Sequence, residues 1–406
     1  MQSSIGRRAV LGAGLAAATA SVTPRHARAQ QKPIRIGVLT DMTGAYAANT
    51  GPGSVLGAQL AIEDFSKAHP DIKVELVQGD LQLKPDIALG IAKDWVENQG
   101  VDLITDVPLS SAAFAIGDLM KQRDKVAIFT GGASADITGA HCGPNHLHWV
   151  YDTWSMPHGV VDASVKEGAN TWFFITADYA FGYALERDTS DVIKAANGKI
   201  LGDVKVPLNT ADFSSFLLKA QGSKAKIIGL ANAGGDTMNS IKQGAEFGIA
   251  QGGQKFAALL MFISDVHSLG LQAAQGLQFT SAFYWDMNDQ TRAWSKRYFE
   301  RMHSMPTMNH AGVYSAVHHY LEAVKALGTK DPDKVMAKMR ATPINDFMTR
   351  NGTLRIDGRV VRDMYLLQVK KPEESKYPWD YLKVLDTIPG DKAFRPLNEG
   401  GCPLVK

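Results

Sequence analysis

Absences narrow the function of this chain first. No apolar run approaches the eighteen or so residues that a bilayer-spanning helix needs. Charge of one sign is missing too: the formal balance is only +2, which favours neither nucleic acid nor an anionic membrane as a partner. The phosphate loop G-x-x-x-x-G-K-[ST] does not occur. The only G-x-G behind an apolar run is Gly12-Ala13-Gly14, near the N-terminus, and Gly132-Ala133-Ser134-Ala135-Asp136 lacks the closing glycine of a nucleophile elbow. The eleven histidines are scattered. His318 and His319 fall in a helix whose apolar side (Val317, Leu321, Val324) accounts for burial there. The chain therefore reads as a protein without catalytic machinery and without a cofactor. Cysteine is scarce, with Cys142 and Cys402 the only two.

The N-terminus is informative. Arg7-Arg8 precede an apolar run from Ala9 to Ala20, and Ala27-Arg28-Ala29 supplies a small-residue cleavage site. This order predicts a secretory signal peptide over residues 1–29. The run of about twelve residues is too short to span a bilayer, and the paired arginines point to twin-arginine export. Losing Arg7, Arg8, Arg25 and Arg28 with a leader that holds no acid takes the basic count from 43 to 39 against 41 acids, a net of −2. No cysteine adjoins the cleavage site, so a lipid anchor is not expected. The expected location is the periplasm, where ATP and NAD are not supplied. About 377 residues then remain, too many for one core.

In an oxidising compartment two cysteines most simply pair, tying the tail at Cys402 to the loop at Cys142. A metal cluster of Cys142, His146 and His148 is the competing reading. Zinc needs three or four convergent ligands at defined spacing, and the expectation is a disulfide and no metal.

Past the leader, apolar strands alternate with amphipathic helices. Strands are predicted at 34–41, 73–79, 101–107 and 126–129, with helices over 54–67 (Ser54 as N-cap), from Pro85 through Val96, and over 112–121. The pattern restarts with strands at 171–177, 200–206, 225–231, 256–262 and 276–282, and helices over 183–196, 212–220 and 237–247. Helices over 289–302, 310–327 and 332–340 follow, then strand-like runs near 353–356, 364–369 and 381–385. Two such series imply α/β architecture with two doubly wound parallel sheets. Ligands of these sheets bind outside the carboxyl ends of the strands.

The residues at those ends share a chemistry. The first series offers small residues and hydroxyls: Tyr46 and Gly51 after its first strand, Ser110-Ser111 after its third, Thr130-Gly131-Gly132-Ala133-Ser134 after its fourth. A serine at a helix start adds free N–H groups and the positive end of the helix dipole, suited to a carboxylate. The second series offers Tyr179 and Phe181, Asn232, Phe262, and the cluster Phe283-Tyr284-Trp285. A polar grip opposite an apolar wall is how small-molecule pockets are built.

These segments, with Gly57-Ala58-Gln59-Leu60-Ala61-Ile62-Glu63-Asp64, Ile137-Thr138-Gly139 and Asp178-Tyr179-Ala180-Phe181-Gly182, resemble the periplasmic solute-binding proteins of ABC importers in the leucine-isoleucine-valine group. The likeness covers nearly the whole chain past the leader. It implies the type I periplasmic binding fold, with two lobes joined by about three hinge crossovers: 34–150 with 282–360, and 151–281 with 361–388, followed by a tail over 389–406. It places carboxylate-gripping roles on Ser111, Gly132 and Ser134, a first-lobe aromatic on Tyr46 and a closing second-lobe aromatic on Phe181. Tyr179, Asn232, Phe262 and Tyr284 complete the expected ligand-binding set. Amino-acid binders of that group hold the ligand ammonium with an acid after a late second-lobe strand. Here that region reads Leu260-Met261-Phe262-Ile263, with Asp265 further along. An unpaired buried ammonium is costly, so the expected ligand is an apolar or aromatic carboxylate, with branched-chain or other amino acids and amides as the alternative. Expected partners are that small molecule and an ABC permease, with no nucleic acid and a monomeric chain. An exported hydrolase and a sensory module for a membrane receptor are the rival classes.

Overall fold

Strands buried on both faces set the architecture. In a computed structural model, which describes residues 32–166 and 168–406, the chain runs β1 (Ile34–Thr40), α1 (Gly51–Ala68), β2 (Val74–Asp80), α2 (Pro85–Glu97), β3 (Leu103–Asp106), α3 (Ser110–Gln122), β4 (Val126–Phe129) and β5 (His146–His148). Then come α4 (Pro157–Lys166), β6 (Thr171–Ala177), α5 (Ala180–Ala195), β7 (Lys199–Val206), α6 (Ser214–Gly222), β8 (Ile227–Ala231), α7 (Gly235–Glu246) and β9 (Lys255–Ala258). The remainder is α8 (Ile263–Leu269), α9 (Leu271–Ala274), β10 (Gln278–Ser281), α10 (Asp289–Met302), α11 (Met308–Leu327), α12 (Pro332–Ala341), the short hairpin β11 (Thr353–Leu354) and β12 (Val360–Val361), then β13 (Met364–Val369) and β14 (Leu382–Ile388). The predicted leader lies outside the described residues. Among the described residues no helix is long and apolar enough to cross a membrane.

The first sheet has the order β2-β1-β3-β4-β5 and the second β7-β6-β8-β9, all parallel. Runs such as Val126-Ala127-Ile128-Phe129 are wholly buried, as expected of parallel strands covered by helices on both faces. A third sheet, β10-β13-β14, is antiparallel. In both parallel sheets the strand order reverses beside the first strand of the series, between β1 and β3 and between β6 and β8. Crossovers leave in opposite directions there and open a crevice at the carboxyl ends.

Two sequence expectations need correction. Helix α1 begins at Gly51 with Thr50 as N-cap, not at Ser54; Pro52 in its first turn carries no N–H that the helix would leave unpaired. The strand expected over 256–262 stops at Ala258, and the chain then turns into α8. Asp265, three residues into that turn, accepts a hydrogen bond from Phe262 N at 2.9 Å and fixes the helix start.

Candidate functional site

A small cavity lies where the carboxyl ends of both parallel sheets converge. Nearly every inner strand contributes to its wall. Tyr46, Asn49 and Thr50 follow β1, Pro108 and Ser110 follow β3, Gly131 and Ala133 follow β4, and Tyr151 follows β5. From the other side come Tyr179 and Phe181 after β6, Ala233 after β8, and Leu260 and Phe262 after β9, with Asn309 from the start of α11. No charged side chain is in this lining.

The loop after β3 carries the polar pole. Asp106 and Val107 have φ values of +79° and +53°, a strained backbone for a β-branched residue and a feature that gathers at functional sites. Asp106 is held by the loop after β4: Thr130 Oγ1 donates to Asp106 Oδ1 at 2.9 Å, and the Thr130 and Gly131 N–H groups donate to its carbonyl. Burial, set against hydrogen bonds from neighbouring hydroxyls, lifts the Asp106 carboxyl to about 6. Ser110 then opens α3. Its Oγ accepts from Ala133 N and Ser134 N at 3.2 and 3.0 Å, so its own proton is left for a ligand. No side chain caps α3, which leaves the N–H groups and positive dipole end of that first turn available to an anion.

Much of the remaining wall is aromatic. Phe181, Phe262 and Tyr151 are buried, and Tyr151 donates from its hydroxyl to Gly131 O at 3.1 Å. Tyr46 and Tyr179 meet hydroxyl to hydroxyl at 2.7 Å, roofing the cavity. Burial raises both phenols, so both are neutral. Other bonds join the same two sets of loops. Gly235 N donates to Ala45 O at 3.0 Å, Ala45 N to Asn209 Oδ1 at 3.1 Å, and Ser264 Oγ to Asn49 Oδ1 at 2.6 Å. Arg187 also pairs with Asp136 at 3.0 Å. The crevice is therefore closed. Two polar atoms of the lining residues are buried and without a partner, Asn49 Nδ2 and Asn309 Oδ1.

Of the residues singled out in the sequence, Tyr46, Tyr179, Phe181 and Phe262 line this cavity. The others lie one position away in the chain or elsewhere. Ser111 is half-buried and outside the lining, where Ser110 stands. Gly132 and Ser134 alternate with the lining residues Gly131 and Ala133. Ser134 Oγ is taken by Asp136 N, whose short turn it caps. Asn232 is tied to α7 by Thr237 Oγ1 and Ser240 Oγ, and Ala233 reaches the cavity. Tyr284 donates to Trp379 O at 3.4 Å, away from the cavity. Asn49, Thr50, Pro108, Tyr151, Leu260 and Asn309 went unsingled. The strand-end rule applied to β5 points to Tyr151, whereas Asn309 has no sequence signal. Cys142 and Cys402 form a disulfide. His146, from the competing metal reading, bonds Ile137 O through Nε2 at 3.1 Å.

A family profile described as "periplasmic binding protein" matches residues 33–376. The chain belongs to the periplasmic binding protein family. Among solved structures, a periplasmic binding protein from Burkholderia mallei is 47% identical, with a TM-score of 0.90 over 92% of this chain and 99% of that one. A branched chain amino acid ABC transporter periplasmic ligand-binding protein from Burkholderia xenovorans LB400 is 43% identical, with a TM-score of 0.80 over 92% and 100%. Among curated proteins, the Leu/Ile/Val-binding protein homolog 6 of Brucella melitensis is 22% identical over 89% of this chain and 94% of its own. The type I architecture seen here is that of the periplasmic binding protein family.

Proposed function

We propose that this protein captures a small carboxylate with an apolar or aromatic body in the periplasm and delivers it to an ABC-type importer. The observation that carries this reading is the make-up of one closed cavity. It combines Ser110 and the uncapped start of α3 with aromatic rings, and no charged side chain lines it. A carboxylate at the helix start gains the dipole and free N–H donors. Its body is then covered by Phe181, Phe262 and Tyr151.

The mechanism is capture by closure. Residues 34–150 with 282–360 form one lobe and 151–281 with 361–388 the other. Tyr46–Tyr179 and Ala45–Gly235 bonds form as the lobes swing together. The closed form is what a permease would recognise, and no bond of the solute is broken.

A second reading, a branched-chain amino acid, has one observation in its favour. Asn309 Oδ1 is a buried acceptor without a donor, and an ammonium could supply one. The Burkholderia xenovorans relative, a branched chain amino acid ABC transporter periplasmic ligand-binding protein, points the same way. A neutral acceptor alone compensates an ammonium poorly, which favours the first reading.

Calorimetric titration with benzoate, 4-hydroxybenzoate, leucine and short amides tests the choice. An aromatic acid should bind in the cleft, and at a hundred times its dissociation constant there should add about 2.7 kcal/mol of stability. Binding of leucine with no response to any of the acids would overturn the carboxylate assignment.

A further inference from the structure

A second, larger pocket shares no lining residue with the cleft cavity. It is framed by the start of α10 (Asn288, Thr291), the loop Phe347–Arg350 and the segment leading into β13. Arg362 lies in its wall. That side chain is only 3% exposed, yet Nε, Nη1 and Nη2 all lack a hydrogen-bond partner. Thr349, also buried in this wall, has an unpartnered Oγ1.

A buried guanidinium ordinarily has its donors satisfied, because an unpaired buried charge is destabilising. Arg359, three residues earlier, comes closer to that state. Its Nε donates to Val360 O, its Nη1 donates to Tyr151 O and pairs with Asp152 at 3.4 Å, and it stacks on Phe394, so that only Nη2 is left without a partner. Arg362 has no such set. The carboxylates near it are engaged elsewhere: Asp346 accepts from Met348 N, Thr349 N and Ser315 Oγ, and Asp363 accepts from Gly390 N. Burial pulls the Arg362 guanidinium down to about 10, with Asp346 opposing, so it stays charged at neutral pH. Phe283 and Phe347 give the same pocket apolar walls.

We propose that this pocket is a second ligand site, in which the Arg362 fork and the Thr349 hydroxyl hold a small oxyanion, a carboxylate or a phosphate. The planar guanidinium matches two oxygens of such a group at once. Its occupant is independent of the solute in the cleft.

Thermal melts of the full chain in sodium phosphate and in sodium benzoate, against sodium chloride at equal ionic strength, test this. At least one oxyanion should give a saturable rise in melting temperature that chloride does not. Arg362→Gln should weaken that response at least about thirtyfold, and Thr349→Val should weaken it in the same direction. Benzoate also suits the cleft, so its effect at this site is the difference between wild type and R362Q. Ser110→Ala, a cleft variant, should leave the phosphate response unchanged. A response to phosphate alone assigns a phosphate-like occupant, and an R362Q-sensitive response to benzoate alone assigns a carboxylate with an apolar body. If R362Q does not fold, T349V and a wild-type crystal soaked in selenate, with density against the Arg362 nitrogens, decide the matter. The proposal is overturned if phosphate and benzoate act as chloride does, or if folded R362Q responds as wild type.

Discussion

Ser110 and Ser111 are neighbours on one helical turn, yet their hydroxyls face different surroundings. Ser110 Oγ is anchored by two N–H groups of the loop after β4, while Ser111 lies outside the cavity. Hydrogen bonds to a charged group contribute about 1.5–3 kcal/mol. Ser110→Ala should therefore weaken solute binding by roughly ten- to a hundredfold, and Ser111→Ala by less than about twofold, in calorimetric titration. Equal losses for the two would refute the assignment. A second prediction concerns Asp265. Burial lifts its carboxyl to about 7, outweighing the hydrogen bond from Phe262 N–H. In the unfolded chain it returns to about 3.9. Between these values the folded protein holds a proton that the unfolded chain does not, so this group's contribution is greatest below about pH 4 and is lost as pH rises through 7. The slope is about 1.4 kcal/mol per pH unit for a full proton difference. Asp265→Asn keeps an acceptor for Phe262 N and removes the titration. In urea melts the stability of wild type relative to D265N should fall from pH 5 to pH 8, and parallel profiles would show that Asp265 does not titrate in this range.

The loops gain their meaning as sets, and glycine marks where two sets meet. Gly234, after β8, has a φ of +56°, and a Cβ there would stand 2.2 Å from Ala45 O in the loop after β1. That contact is with backbone, so a side chain cannot relieve it by rotating. Gly234→Ala should hold the two loops apart. Solute affinity should drop at least about tenfold, whereas the unliganded fold should lose only the roughly 1–2 kcal/mol of a left-handed residue. Unchanged affinity by titration would show that these loops need not meet for binding. How much of this was legible in the sequence depends on the kind of element. The strands Val126–Phe129, Thr171–Ala177 and Met364–Val369 and the helix Asp289–Met302 appear in the structure at the predicted residues. Their apolar runs or caps are sharp, as with Asn288 accepting from Gln290 N and Thr291 N. The run Phe256–Phe262 misled, because it stays apolar while the backbone turns from β9 into α8. Strand ends as loci were readable, but registers within them were not. Adjacent residues in a first helical turn point about 100° apart, so Ser110 and Ser111 look alike in sequence and meet different surroundings in space. Asn309 enters from a helix far along the chain, and no local pattern marks such an arrival.

At the scale of the molecule, the C-terminal tail supports the cleft it never enters. Cys402 is bonded to Cys142 across a sequence separation of 260 residues. Between these anchors, Arg395 donates to Ala135 O at 3.1 Å, and a Cβ at Gly139 would meet Gly400 O at 2.6 Å. The tail thus packs on the turn Ala135–Thr138 that Ser134 caps, directly behind the β4 loop whose N–H groups hold Ser110. Closing so long a loop restricts the unfolded chain strongly; chain entropy sets an upper bound of roughly 5 kcal/mol, with about 2 kcal/mol at the low end of common values. Cys142→Ser with Cys402→Ser should therefore lower the free energy of unfolding by an amount in that range, read from guanidinium melts of oxidised wild type and variant. Because the tail also braces the loop behind Ser110, the same variant should lose solute affinity even at temperatures where it remains folded, and reduction of wild type with dithiothreitol should reproduce both effects. A stable variant with weakened binding would separate bracing from stapling. An unchanged midpoint together with unchanged affinity would mean that the bond supports neither the fold nor the site.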